Sequence, residues 1–454
     1  IFSFAALVSC CDSFLLGDSC LAPAPCTCSG SGSSYAYIHC ESKSLNATPH
    51  FQKADRHVST LTVYLYSNQL TTIPNYAFQN LSAVNATKID FSLNNNKISS
   101  IDRYAFRGVE NITTILRLQN NNLTSIPAAL YNHPALKELY IQDNPIKALG
   151  FSTQSQIENT LEVLNIDLNE FASWPDELSS FKELKSLTLN NLNFQHINSE
   201  AFQRFENSLT SLDMQHASYF DKVPNVVCHL LNLQTLTIKY FSKLDKNTTS
   251  LFDHCTRRLS KLTSLNLDNN KLTHFPDVFH IFPTVTSLYL YVNNLEIIES
   301  EIIPSNTILT HIDLDSNRFK RIPNALNKMK RLGNLDLRRN DIVSVEDHDL
   351  SGLLSLQTLI LLNNPIIYVS TNAFRNNKAL SSLYLSGTNL KTIPAAVMSL
   401  PQLSYFDIPP IPCSCEMSYL KNWNVTAVRS FNVQCSSSGT DIQSFILTSL
   451  QHCS

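Results

Sequence analysis

The sequence predicts an α/β solenoid, with one short parallel strand per repeat, irregular or short-helical return segments, and a cap at each end. Three observations predict it. The spacing L-x-x-L-x-L-x-x-N-x-L returns every 23 to 29 residues, as in LTSLNLDNNKL from Leu262 and LTHIDLDSNRF from Leu309. Glycine is scarce, 9 in 454 residues, where ordinary usage is about 7%. Eight of the 12 cysteines sit at the two ends, as Cys20, Cys26, Cys28 and Cys40, and as Cys413, Cys415, Cys435 and Cys453.

The strand comes first in each repeat. Side chains alternate along a strand, so L-x-L puts two leucines on one face. A lone strand cannot bury that face, and stacked repeats can. Fourteen copies are countable, the first centred on Asn68 and the last on Thr388, with a partial fifteenth from Leu403. The asparagine after each strand keeps a fixed phase to the leucines: Asn68, Asn96, Asn121, Asn144, Asn169, Asn270, Asn293, Asn317, Asn340 and Asn364. Its amide donates and accepts, so it can satisfy backbone groups of adjacent turns inside the bend, as a leucine there cannot. In three consecutive repeats the position is Leu192, Ala217 and Phe241, and the spacing before Asn270 stretches to 29. A local bend and simple drift of the repeat both account for this. The return half reads I-P-x-x-A-F at Ile73, or shorter as IPAAL at Ile126 and IPNAL at Ile322. The proline marks the turn away from the strand.

This pattern resembles extracellular leucine-rich repeat proteins, and the resemblance runs from residue 20 to residue 453. It implies a horseshoe with a concave parallel sheet and an irregular or short-helical convex side. It also implies cysteine-rich caps, on the segments CLAPAPCTC from Cys20 and PIPCSCEMSYLKNW from Pro410. The family's pairing would join Cys20 to Cys28, Cys26 to Cys40, Cys413 to Cys435 and Cys415 to Cys453. The expected divisions are a leader or signal-peptide remnant over 1–19, an amino-terminal cap over 20–57, about fourteen repeats over 58–402, and a last partial repeat with the carboxy-terminal cap over 403–454.

Composition narrows the function. Lys and Arg total 34 against 37 Asp and Glu, a formal charge of −3, which argues against nucleic acid or an anionic membrane as the main partner. Glycine is too sparse for a dinucleotide loop or a P-loop, and nucleophile-elbow, kinase and H-E-x-x-H patterns are absent. No enzyme is expected, and no cofactor. Terminal cysteine clusters suit an oxidising compartment. Seven N-x-[ST] sequons, at Asn46, Asn80, Asn85, Asn111, Asn122, Asn247 and Asn424, mark acceptors for N-linked glycans. IFSFAALV from Ile1 reads as the tail of a signal peptide. The localisation expected is extracellular, secreted or at the cell surface, with membrane attachment only through an anchor downstream of residue 454. Cys228-His229 and His254-Cys255 lie about one repeat apart. A disulfide between Cys228 and Cys255 is one reading, and a zinc site of two thiolates and two imidazoles is the other.

Positions flanking the second strand leucine face outward, where such a sheet reads a partner. Early repeats hold Tyr64, Tyr66, Arg117 and Tyr140 there. Later ones hold Asp268, Tyr289, Tyr291, Asp313, Asp315, Asp336, Arg338, Ile360 and Leu362, the candidate partner-binding site. Tyr and Arg are enriched at interface anchors, and the aspartates favour a basic partner. The expected function is an extracellular protein-binding module, a receptor ectodomain or secreted binder, taking a protein or peptide on the concave face. The alternative is a structural or assembly glycoprotein of cell wall, matrix or surface filament, in which the faces serve self-association.

Overall fold

The computed structural model describes residues 20–31, 34–53, 57–150, 155–244, 250–252, 254–431, 433–436 and 438–453. The leader expected over 1–19 and the sequon at Asn247 lie outside the described residues. The chain divides into two compact units, Ile1–Asp213 and Met214–Ser454, and each is built on a parallel-sheet solenoid.

The first unit begins with an antiparallel hairpin, Thr27–Ser31 on Tyr35–His39. Gly30 is required there, because a Cβ would lie 2.5 Å from the Tyr35 carbonyl oxygen. The hairpin's second strand pairs in parallel with Thr60–Tyr64 and so covers the first edge of the repeat sheet. Parallel pairing then continues through Lys88–Ser92, Thr113–Arg117, Glu138–Tyr140, Val163–Asp167 and Ser186–Asn190. In the second unit the ladder runs through Thr235–Lys239, Ser264–Asn266, Ser287–Tyr289, His311–Asp313, Asn334–Asp336, Thr358–Ile360, Ser382–Tyr384 and Tyr405–Asp407.

The motif leucines form the core. Leu265, Leu267 and Leu272 of one repeat and Leu288, Leu290 and Leu295 of the next are all fully buried. Each such side chain contributes about 1.5–3 kcal/mol by leaving water. Longer return segments add phenylalanines, and the Phe78 ring lies 5.2 Å from Phe106 and 4.4 Å from Phe91. Shorter ones turn through 3-10 helix directly after a proline: Ala128–Leu130 after Pro127, Asp176–Ser180 after Pro175, Asn225–His229 after Pro224, Asn324–Lys328 after Pro323 and Ala395–Ser399 after Pro394. Proline suits that place because its φ is already set and the helix needs no N–H there.

The asparagine ladder explains the repeat phase. Asn293 Nδ2 donates to the carbonyls of Leu267 (3.1 Å) and Leu290 (2.9 Å), while its Oδ1 accepts from the amides of Asn270 (3.1 Å) and Leu272 (2.9 Å). One side chain thus ties its own turn to the preceding one. Residues just before the rung adopt the left-handed region, among them Ser67, Asn120, Asn269 and even the β-branched Val292 at φ 53°. Asn169 departs from the expected ladder. Its Nδ2 turns to Glu170 (3.1 Å) and its Oδ1 is buried without a hydrogen bond. The cause lies one repeat earlier, where the Ile146 amide donates to the Asn144 carbonyl across Pro145 (2.8 Å) and leaves that acceptor nothing to bind.

Disulfides join Cys20 to Cys28 and Cys26 to Cys40 in the amino-terminal cap, and Cys413 to Cys435 and Cys415 to Cys453 in the carboxy-terminal one. A fifth joins Cys228 to Cys255. The carboxy-terminal cap packs Trp423 edge-on against Phe406 and Phe431, and its short helix Ile442–Leu447 is capped by Asp441, which accepts from the Ser444 amide at 2.7 Å. Among the described residues, no helix is long and apolar enough to cross a membrane.

Candidate functional site

Strand register in the second unit aligns Asn266, Tyr289, Asp313, Asp336, Ile360 and Tyr384 in one row across adjacent strands. Two residues further along each chain segment come Asp268, Tyr291, Asp315, Arg338 and Leu362. The structure therefore brings the sequence-chosen residues onto one face. Tyr289, Tyr291, Asp313, Asp336, Arg338, Ile360 and Leu362 are half-exposed on it.

Asp268 and Asp315 are not exposed, contrary to the expectation from strand alternation: their residues are 0% and 7% exposed. Asp268 folds back to accept from the Tyr291 amide at 2.9 Å, and Lys239 Nζ lies 3.4 Å from its other oxygen. That same ammonium sits 5.6 Å from the Tyr291 ring centroid, closing the aspartate off. Asp315 is covered by Arg339, whose Nε donates at 2.8 Å and whose second guanidinium nitrogen also pairs with it. The Cβ points outward in both cases, and a long cation from a neighbouring strand lies over it.

The pairing changes the electrostatics of the face. Arg338 Nε donates to Asp336 at 2.7 Å, so Asp336 is also neutralised locally. Among the described residues no cation lies within ion-pair distance of Asp313, which accepts from the Asp315 amide at 2.9 Å. Burial first, and then the charges of Asp336 and Asp315, push its carboxyl up to about 6. Burial likewise pushes Asp268 up to about 6, with Lys239 and the Tyr291 amide pulling it partly back. Of the aspartates expected to favour a basic partner, Asp268, Asp315 and Asp336 are thus held in ion pairs, among half-exposed tyrosine and aliphatic side chains.

Sequence reasoning missed Lys239 and Arg339, as well as Tyr384 and Tyr405, whose ring centroids lie 4.6 Å apart. Tyr384 stands in the same phase as Tyr289, which was the available signal. The first unit has its own aromatic face. Tyr64 lies 6.2 Å from Tyr37, 5.5 Å from His39 and 6.0 Å from Tyr66, and Arg117 sits 5.3 Å from the Tyr140 ring. Tyr37 and His39 belong to the cap hairpin, outside the repeat motif, and were not singled out.

At the central pair, Cys228 and Cys255 are bonded to each other, so the zinc reading loses both thiolates. His254 lies with them, one ring nitrogen and the two sulfurs within 4.8 Å of one another, but His229 does not join the group. Among the sequons, Asn46, Asn85, Asn111, Asn122 and Asn424 are exposed. Asn80 is half-buried and donates to the Phe51 carbonyl at 2.8 Å.

Family models of the leucine-rich repeat match residues 90–146, 283–342, 307–366 and 355–409, and a single-repeat model matches 261–281. A subunit of the rat volume-regulated anion channel is 27% identical over 190 residues, covering 41% of this chain and 22% of the relative. The match spans only part of the curated relatives' own length, between 17% and 37% of it. Among solved structures, Toll in the glycosylated Toll–Spatzle complex of Drosophila shares the fold at a TM-score of 0.63 and 15% identity, over 86% of this chain and 58% of that one. A leucine-rich repeat protein of Leptospira interrogans matches at a TM-score of 0.57 and 20% identity, over 85% of this chain and 92% of that one. The chain is a leucine-rich repeat protein closed at each end by a cysteine-rich cap.

Proposed function

We propose that this chain is a non-catalytic, extracellular protein-binding module that takes a polypeptide on the outward face of its sheet in the second unit. The observation that carries the reading is the in-register row of half-exposed Tyr289, Asp313, Asp336 and Ile360 on four adjacent strands. An open row of that kind suits an extended or folded polypeptide, whereas a metabolite needs an enclosing pocket. Tyrosine adds contact area at small entropic cost, and Ile360 with Leu362 gives the row an apolar end. The five disulfides support an oxidising compartment, and the exposed sequons are read as glycan acceptors.

The test is a screen of secreted polypeptides on the immobilised chain, followed by Tyr289→Ala and the double variant Tyr289→Ala/Tyr291→Ala. Anchor tyrosines lost from the centre of an interface cost about 2 kcal/mol or more, so affinity is expected to fall at least about tenfold per anchor. Circular dichroism of Tyr289→Ala stays unchanged, because its side chain leaves the core untouched. Full binding by the double variant places the site elsewhere.

A further inference from the structure

The return segments of the first unit enclose a cleft of about 390 Å³ whose lining includes Arg103, Arg107, Tyr104, Tyr131 and His133. That volume lies in the range of small-molecule sites, ~300–1,000 Å³. His133 is the anomalous member. Three residues before the first apolar residue of the strand motif, several other repeats place buried Phe181, Leu230, Phe282, Met329, Leu353 and Leu400, while three more place Glu158, Glu206 and Asn306 there. Asn377 is a buried polar residue at that place, and its amide donates to the Leu350 (3.0 Å) and Leu353 (2.9 Å) carbonyls. His133 is 1% exposed, and neither ring nitrogen makes a well-aligned hydrogen bond, its polar neighbours being the Ala129 and Leu130 carbonyls. A buried imidazole without well-aligned hydrogen bonds is costly unless something supplies better partners.

The charge at the mouth of the cleft is positive. The guanidinium carbons of Arg103 and Arg107 lie 6.0 and 5.9 Å from the Tyr104 ring centroid. Among the described residues neither arginine forms an ion pair. The Glu110 carboxylate that also lines the cleft accepts from the Gly108 amide. Two unpaired guanidiniums are forked donors matched to carboxylate and phosphate oxygens.

We propose that this cleft binds a small ligand bearing an oxyanion, a carboxylate or a phosphate, held by Arg103 and Arg107 with the His133 ring and the Tyr104 face against its body. Burial holds His133 down at about 4, with Glu110 and the Ala129 and Leu130 carbonyls offsetting only part of the effect. The ring is therefore neutral at physiological pH, offering one donor and one acceptor. The site is independent of the sheet face assigned to a polypeptide.

Titration calorimetry on the whole chain tests it with three probes: inorganic phosphate, benzoate and phenyltrimethylammonium. At least one anion is expected to saturate at millimolar concentration and to shift the His133 ring resonances, and the cation is expected to do neither. Tighter phosphate identifies a phosphate ligand, and tighter benzoate a carboxylate. Arg103→Gln/Arg107→Gln should weaken the anion at least about tenfold. His133→Leu, which places there the buried apolar type found in several sister repeats, should weaken it as well while unfolding at no lower temperature. Failure of both anions to saturate, equal binding of the cation, or undiminished affinity in either variant overturns the proposal.

Discussion

Replacing Asn293 with alanine isolates what one rung of the ladder contributes. The five hydrogen bonds of its side chain, the weakest of them to the Tyr291 carbonyl at 3.4 Å, are not equivalent. The Leu267 carbonyl also accepts from Asn270 Nδ2 (2.9 Å), and the Leu290 carbonyl from Asn317 Nδ2 (3.0 Å), so both keep a partner after the substitution. The amides of Asn270 and Leu272 bind Asn293 Oδ1 and are left buried with no acceptor. An orphaned buried group costs about 1–3 kcal/mol, so two of them give a loss of about 3–5 kcal/mol, with the weakened carbonyls included. Asn294→Ala is the control, since that exposed-edge amide makes a single 3.3 Å bond to Lys271 and should cost under about 1 kcal/mol. Hydrogen exchange followed by mass spectrometry on the segment 262–275 is the appropriate assay, because repeat arrays open locally. Exchange there is expected to accelerate at least about a hundredfold in Asn293→Ala. If that segment remains as protected as in the wild type, the account of the ladder as a shared acceptor system is wrong.

Three further outcomes follow from the geometry. Asp268 is raised in the fold from its ordinary 3.8 to about 6, so its contribution to stability is full below the lower value and lost as pH rises through the upper one; denaturant unfolding from about pH 4 to about pH 7.5 should show a decline that shrinks by about 2–3 kcal/mol in Asp268→Asn. Val292 at φ 53° carries left-handed strain, and Val292→Asn should gain about 1 kcal/mol in urea unfolding, with a loss counting against strain at that turn. Cys228→Ser/Cys255→Ser opens a crosslink of sequence separation 27 and should lower stability by about 2–4 kcal/mol, measured by chemical denaturation.

The strands, the buried leucines and the proline-started turns were legible in the sequence because each is forced by a period: alternation fixes which side chains share a face. The site was legible only in part. Alternation gives the direction of a Cβ, and Tyr289, Asp313 and Ile360 stand where it places them. It says nothing of a long neighbour lying across that Cβ, so Lys239 over Asp268 and Arg339 over Asp315 were invisible. Asn169 looked like any other rung, and its failure depends on Pro145, a whole repeat earlier. Tyr37 and His39 escaped notice because the cap hairpin has no repeat to set its phase. His133 was hidden differently. Its significance appears only when the return segments are aligned with one another, and those are the variable half of each repeat.

The shared carbonyls of the ladder also bear on how such a chain can change length. Each rung presents to its successor the same donors and acceptors that it takes from its predecessor, as the series Asn270, Asn293, Asn317, Asn340 and Asn364 shows. A tandem duplication of one whole unit therefore creates no orphaned amide and no exposed edge, while an insertion of half a unit does both. The cysteine caps stand outside this exchange, so copy number can drift between two fixed ends without either end being rebuilt. Genetic variation in this family of shapes is in that sense quantised, with the hydrogen-bond pattern of a single asparagine setting the step.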